Sequence, residues 1–495
     1  MFITKRQINS YNKGDEEMAE GTLVIRDQNN EVMSKLSFTQ GESLLLLCKK
    51  AGFSLPASCN GKGICGRCKV QFVKGAPLPQ ATERQKLTAE ELRQGYRLAC
   101  LTKPNQDCEI ILPSEAKPDA VTGKIETGWQ LDVPGFFLAA DIGTTTIVIE
   151  KRRKCDGSIV DTYKAVNNQR SYGADVLSRM EAAMEGKAEE LATLIRAQLV
   201  EGIQYLNRDK TADFMVVAAN TTMIHLLMEY PVEGLAKAPF KPYTLKEVIT
   251  EIAGIKTILM PGISAFVGAD IMAGLLAVHH MTKQSGKAMD NNGDYQLFVD
   301  LGTNAELVLY DKSDGICTAT AAGPAFEGDA GTGFFGSDMV AVLAWLFEKG
   351  MIDENGTLSD EYFEHGVLIP CDERKIHISQ QQIRNLQLAK AAVRTGIEVL
   401  MQKAGITEEQ IKNVYLAGGF GYYLDVHASV TIGLLPPSLE RKTIACGNTA
   451  LVGATVYAHQ LMTGAEKAIQ IKITSINLAE EELFKENYVN HVGLK

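Results

Sequence analysis

Cys59, Cys65 and Cys68 share one short loop with gaps of x5 and x2, and Cys100 follows further on. Four thiolates are what a [2Fe–2S] cluster demands, three from a tight loop and a fourth from a distant residue. Gly61, Gly63 and Gly66 lie inside the loop. They let the backbone wrap closely and aim N–H groups at the sulfurs. Zinc sites instead present paired Cys-x2-Cys units, and Cys65-x2-Cys68 has no twin. Cys108, in the strand-like run Asp107–Ile111, is the rival for the fourth position. Cys48 lies within an apolar helix and reads as core. A second constellation lies downstream: Asp141-Ile-Gly143-Thr144-Thr145-Thr146, then Asp300-Leu-Gly302-Thr303, then Leu416-Ala-Gly418-Gly419-Phe-Gly421. Turn amides and threonine hydroxyls of this type hold phosphate oxygens. An aspartate at a strand end holds Mg2+, usually through water. One such turn is weak evidence, but two with a late glycine run define a nucleotide site. No Walker A or Gly-x-Gly-x-x-Gly motif competes.

The flanking sequence predicts the elements that position these residues. Thr22–Arg26 and Val32–Phe38 read as a hairpin, Glu42–Ala51 as a short buried helix, and Lys69–Val73 as a strand. Thr88–Glu91 has a capping-box pattern and starts another helix. Glu109–Leu112 is a last strand. The expectation is an α+β, β-grasp module over residues 21–113, preceded by a polar arm at 1–20. Residues 114–134 form a proline-bearing linker. From 135 to 495 the texture is α/β. Strands at Phe136–Ala140 and Tyr295–Val299 each lead into an Asp-x-Gly-Thr turn and a return strand. This recurrence reads as an internal duplication. Helices are expected around Ala174–Glu185, Ala188–Leu206 and Leu386–Leu400, and a glycine turn at Gly418–Gly421.

Length and charge exclude several function classes. The 495 residues exceed one simple core. Net charge is −10, and the basic run Lys151–Lys154 is too short for a nucleic-acid footprint. No apolar run of membrane-spanning length and no signal-peptide pattern is present. The ten cysteines do not form a disulfide framework, which suits a reducing cytoplasm.

The cysteine loop resembles the adrenodoxin-like branch of ferredoxins. The two turns and the late glycines resemble the actin, Hsp70 and sugar-kinase superfamily, so the expected second domain is a two-lobed, duplicated ATPase. The chain as a whole resembles the reductive activators of corrinoid-dependent methyltransferases and corrinoid iron–sulfur proteins. Further stretches carry that likeness: Ser171-Tyr-Gly173-Ala-Asp175, Asn220-Thr-Thr-Met223, Pro239-Phe-Lys-Pro242, Gly323-Pro-Ala-Phe-Glu327-Gly328 and Gly447-Asn448-Thr-Ala450. The chain departs from the pattern at Ala305, where the family's second turn carries glycine, and it has no room for an extra middle domain.

The resemblance implies an ATP-dependent activase that moves an electron from its cluster to an inactive Co(II) corrinoid protein and restores Co(I). A tenfold shift in a one-electron equilibrium takes about 59 mV, and plant-type clusters sit near roughly −400 mV. ATP is the energy source for the remaining deficit. By this resemblance Asp141 and Asp300 are catalytic. Gly143, Thr144, Thr145, Gly302, Thr303, Gly418, Gly419 and Gly421 bind nucleotide, and Cys59, Cys65, Cys68 and Cys100 bind metal. Implied partners are a corrinoid protein, an upstream low-potential donor and a second copy of the chain in a homodimer. Two other functions fit the motifs: a ferredoxin-fused small-molecule kinase, and an electron-transfer scaffold switched by ATP. His225 reads as a satisfied helix histidine, His279-His280 as a surface cap, and Glu327 and Asp329 as loop carboxylates.

Overall fold

The computed structural model describes residues 20–51, 53, 55, 61, 63, 66, 68–112, 128–284, 293–320, 322, 336–371, 374–465 and 471–494. The readings for the polar arm, Cys59, Cys65, most of the linker, Gly323–Gly328 and Asp329 fall outside these residues. The chain divides into two compact units, up to Ser114 and from Glu115 onward.

The first unit is a five-stranded sheet with short helices. In chain order it runs β1 (Glu20–Arg26), β2 (Val32–Thr39), α1 (Leu44–Lys50), β3 (Lys69–Lys74), α2 (Ala81–Lys86), α3 (Ala89–Arg93), β4 (Tyr96–Leu98) and β5 (Cys108–Ile111). The sheet order is β2-β1-β5-β3-β4, with β1 and β5 parallel at the centre. The β1–β2 turn is closed by Asp27, whose carboxylate accepts the N–H groups of Asn29 and Glu31. Ser43 caps α1, which presents Leu44, Leu47 and Cys48 to the sheet. Thr88 and Glu91 form the expected capping box at α3. The sequence did not announce α2 or β4. The first is polar and lacks apolar periodicity, and the second is three residues long, too short for an alternation to register.

The second unit has two lobes with the same sheet plan. The first lobe contains β6 (Phe136–Ile142), β7 (Thr146–Arg153), β8 (Ile159–Val166), α4 (Val176–Ala182), α5 (Ala188–Leu206), β9 (Ala212–Ala219), α6 (Thr221–Met228), α7 (Glu233–Ala236), β10 (Val248–Ile252) and β11 (Ile255–Leu259). α8 (Ala269–Gln284) leads to the second lobe. That lobe contains β12 (Tyr295–Leu301), β13 (Ala305–Tyr310), β14 (Asp314–Thr320), α9 (Gly336–Glu348), α10 (Asp360–Phe363), β15 (Val367–Cys371), β16 (Arg374–Ile378), α11 (Gln380–Ala404), β17 (Ile411–Ala417), α12 (Gly418–Tyr423), α13 (Val426–Thr431) and β18 (Thr443–Gly447). α14 (Thr449–Thr463) and β19 (Lys472–Ser475) follow.

One sheet is ordered β10-β11-β9-β6-β7-β8 and the other β18-β17-β12-β13-β14-β19. In each, an antiparallel three-strand meander is extended by two parallel strands. The duplication inferred from two similar turns is thus a duplication of whole lobes. Strands β6, β9, β12 and β17 are nearly continuous apolar runs because both faces are covered. Two expectations need correction. Gly418–Gly421 is the first turn of helix α12 and not a free glycine turn. Ala305 does not disturb the second turn: it is a fully buried strand residue that pairs with Leu301 and Thr320.

The basic run Lys151–Lys154 is largely absorbed by ion pairs. Arg152 is buried against Glu150, Lys151 pairs with Asp209, and Lys154 pairs with Asp213. No helix among the described residues is long and apolar enough to cross a membrane.

Helices α8 and α14 lie against each other with little between them. A Cβ on Gly453 would sit 1.9 Å from the Ala273 carbonyl oxygen, so only glycine permits this approach. Both helices end on Trp129. Its ring stacks on His459 at 4.3 Å and meets the edge of His280 at 6.1 Å. His280 is half-buried and His279 exposed near the helix end, where a surface cap was expected. The Trp129 indole N–H is buried with no acceptor among the described residues.

Candidate functional site

In the first unit the structure places Cys68 and Cys100 together, their thiols within hydrogen-bonding reach of each other. The Ala99 N–H donates to the Cys68 carbonyl at 2.8 Å, which zips the two segments beside the sulfurs. Gly61, Gly63 and Gly66 all take left-handed φ angles, +75°, +77° and +71°. A side chain on Gly63 would strike Leu101 at 2.7 Å. The three glycines take the left-handed conformation that favours glycine. Cys108 is buried on β5, near Cys48. A residue the sequence did not single out fixes the remote cysteine. Glu83, on α2 and 1% exposed, accepts the Leu98 N–H at 2.8 Å and the Thr102 hydroxyl at 3.2 Å. It clamps both sides of Cys100. These residues fit a thiolate-ligated iron–sulfur group, with Cys59 and Cys65 outside the described residues.

In the second unit the two Asp-x-Gly-Thr turns meet. The Thr145 and Thr303 hydroxyls are 3.3 Å apart, one from each lobe. Each turn is pinned by its glycine N–H: Gly143 donates to Thr146 O at 2.9 Å and Gly302 to Asn304 O at 2.8 Å. Thr144 and Thr303 are nearly buried. Gly418 closes the second lobe's side with φ +85°, and a Cβ there would lie 2.5 Å from both Asp300 Oδ1 and the Leu301 carbonyl oxygen. Gly421 packs against Leu416, while Gly419 has open space around it.

Gly418→Ala would force both a left-handed alanine, costing about 1–3 kcal/mol, and a displaced Asp300. MgATP affinity measured by equilibrium titration is expected to fall by about tenfold or more, since about 1.4 kcal/mol is tenfold.

The cleft floor is more acidic than the motifs alone indicated. Asp141 is pushed up to about 6 by burial, although Asn448 at the N-cap of α14 donates to it at 2.9 Å. Asp300 is pushed up to about 8 by burial and by the charges of Asp270 and Asp141. Asp270, in the first turn of α8, is pushed up to about 7 by burial and by Asp141. Glu306, directly across the strand pair from Asp300, is raised by burial and by both Asp270 and Asp300. Four carboxylates thus repel one another where the lobes meet, and each keeps some accessible surface. A bound cation relieves such repulsion.

Neither Asp270 nor Glu306 was singled out from the sequence. The available signal was a lone acid among apolar residues in each case: Val-Gly-Ala-Asp270-Ile-Met and Ala-Glu306-Leu-Val. His225 is satisfied as expected and takes no part. Its Nδ1 lies 2.7 Å from Thr221 O, and its Nε2 accepts from the Tyr243 N–H at 3.2 Å.

Fold and site together define a ferredoxin domain joined to a two-lobed ATPase of the ASKHA type. Comparison with known proteins agrees. Residues 29–105 match the 2Fe-2S iron-sulfur cluster binding domain, 136–284 the RACo middle region, and 294–332 and 329–495 the C-terminal ASKHA domain of RACo. The two RACo models together span most of residues 136–495. It is 29% identical over 430 residues to the corrinoid activation enzyme RamQ of Eubacterium limosum, covering 73% of this chain and 70% of that protein. Its first unit is also similar to a component of the Na(+)-translocating NADH-quinone reductase of Chlamydia felis, 38% identical over 86 residues, 17% of this chain and 20% of that one. In fold it matches a reductive activator for corrinoid, iron-sulfur protein, with a TM-score of 0.60 at 24% identity, covering 96% of this chain and 98% of the other.

Proposed function

We propose that this chain is an ATP-dependent reductive activase that returns a Co(II) corrinoid protein to Co(I). The observation that carries the reading is the presence in one chain of a clamped cysteine pair and a nucleotide cleft floored by opposed aspartates. The likeness to a corrinoid activation enzyme supports the same conclusion.

Cys59, Cys65, Cys68 and Cys100 would hold the [2Fe–2S] cluster. When bound, the cluster supplies one electron, enough for one Co(II)-to-Co(I) step with no proton to move. Glu83 keeps Cys100 in place. In the second unit Asp141 and Asp300 would hold Mg2+, and their mutual repulsion favours such a cation. Gly143, Thr144, Thr145, Gly302 and Thr303 grip phosphate oxygens from two sides. Gly418, Gly419 and Gly421 leave room for the nucleoside. Because the phosphate turns belong to different lobes, ATP between them draws the lobes into one arrangement. A ligand shifts such an equilibrium by its differential affinity for the two states. The corrinoid protein binds the ATP-favoured state, and the upstream partner is a low-potential electron donor. The working form is a homodimer in the cytoplasm.

The test is anaerobic visible spectroscopy of a Co(II) corrinoid protein mixed with this protein and a low-potential reductant, with and without MgATP. Growth of the Co(I) band only with MgATP is expected. ADP formation with a small acceptor and no cobalt reduction would move the assignment to a kinase. Cobalt reduction indifferent to ATP would overturn the coupling.

A further inference from the structure

The first phosphate turn rests on a set of buried side chains. Asn167, fully buried, donates from Nδ2 to the Gly143 carbonyl at 2.9 Å. Arg179, also fully buried, donates from Nη2 to the Thr144 carbonyl. The same guanidinium donates from Nε to the Gly173 carbonyl at 3.1 Å and lies 3.4 Å from Gln169 Oε1 and from the Met223 sulfur. Asn220, the N-cap of α6, donates to the Thr144 hydroxyl at 3.2 Å.

These bonds decide which way the turn faces. In a trans peptide the C=O and the following N–H point in opposite directions. Holding the Gly143 and Thr144 carbonyls against the protein therefore turns the Thr144 and Thr145 N–H groups to the other face. Successive amides presented this way form an anion-binding concavity. A cationic donor on the Thr144 carbonyl also polarises that peptide and strengthens its N–H as a donor.

The Ser171-Tyr-Gly173-Ala-Asp175 stretch now has a physical role. Asp175 caps α4, which carries Arg179, and Gly173 supplies one of the guanidinium's acceptors. Gly173 has φ +152°, and a Cβ there would lie 2.3 Å from the Ser178 side chain. The loop is shaped to set Arg179 under the turn.

We propose that Arg179, with Asn167, is a positioning residue that orients the Thr144 and Thr145 amides toward the phosphates of the nucleotide. The proposal rests on the nucleotide reading of this cleft and adds where its phosphate selectivity originates. It predicts a loss confined to phosphate-bearing ligands.

The experiment is calorimetric titration of the full, cluster-loaded chain with MgATP, MgADP and adenosine. The variants are Arg179→Lys, which keeps the charge but loses the fork, and Asn167→Asp, which keeps the shape but loses the donor. About a tenfold loss of affinity for MgATP and MgADP is expected in each, the scale of one hydrogen bond to a charged group. Adenosine affinity should change by less than about twofold. A uniform loss across all three ligands, or no loss in the variant that folds, would overturn the proposal. A wild-type chain that binds adenosine and MgATP equally well would overturn it too, whereas one that binds neither would remove the nucleotide reading beneath it.

Discussion

Asp141→Ala is expected to lower ATP-dependent cobalt reduction by about 10²–10³-fold, the scale on which loss of one preorganised electrostatic group acts. The visible spectrum of the cluster should be unchanged, because Asp141 lies in the second compact unit and the cysteines in the first. Stability should not fall with activity. Asp141 raises the ionisation cost of both Asp270 and Asp300, so its removal relieves repulsion while sacrificing one hydrogen bond from Asn448. Thermal melting beside the cobalt assay separates the two effects. A variant that loses activity only because it unfolds would contradict this account, as would one that keeps ATP-dependent reduction.

The second large effect lies in the other unit. Cys100→Ser is expected to lose the cluster, with iron content falling from about two per chain toward zero and the visible bands disappearing. MgATP binding should stay within about twofold of wild type. Cys108→Ser is the informative control. Cys108 is buried near Cys48, whereas Cys68 and Cys100 lie within hydrogen-bonding reach of each other, so this variant should retain iron and spectrum at a modest cost in core packing. The reverse result, with Cys108→Ser colourless and Cys100→Ser coloured, would reassign the fourth ligand.

The residues legible in the sequence are those whose role is local. The glycines of the cysteine loop announce left-handed turns, and all three adopt them. Asp-x-Gly-Thr announces a strand-end turn twice, and both form. The boundaries of α5 could be read directly because its apolar period runs unbroken. What escaped notice is what long-range topology assembles. Asp270 reaches the cleft because α8 begins where the lobes meet, and Glu306 because β13 returns beside Asp300. Arg179 comes under the first turn only through the packing of α4, and Glu83 meets Leu98 and Thr102, on either side of Cys100, only because β4 folds back. A lone charge in an apolar stretch was the single warning in each lobe. It names a buried partner's existence without naming the partner.

Trp129 gives the molecule an optical property. The chain has only two tryptophans. Trp345 is 41% exposed and Trp129 8%, so a solvent-borne quencher distinguishes their emission. With Trp345→Phe, all indole light comes from the ring stacked on His459 and edged by His280. Those histidines end two helices whose beginnings supply Asp270 and the Asn448 cap to the cleft. Trp129 emission with and without MgATP therefore measures, without any attached dye, whether the packed helix pair carries a change from the cleft to its far end, and an unchanged spectrum would show that it does not.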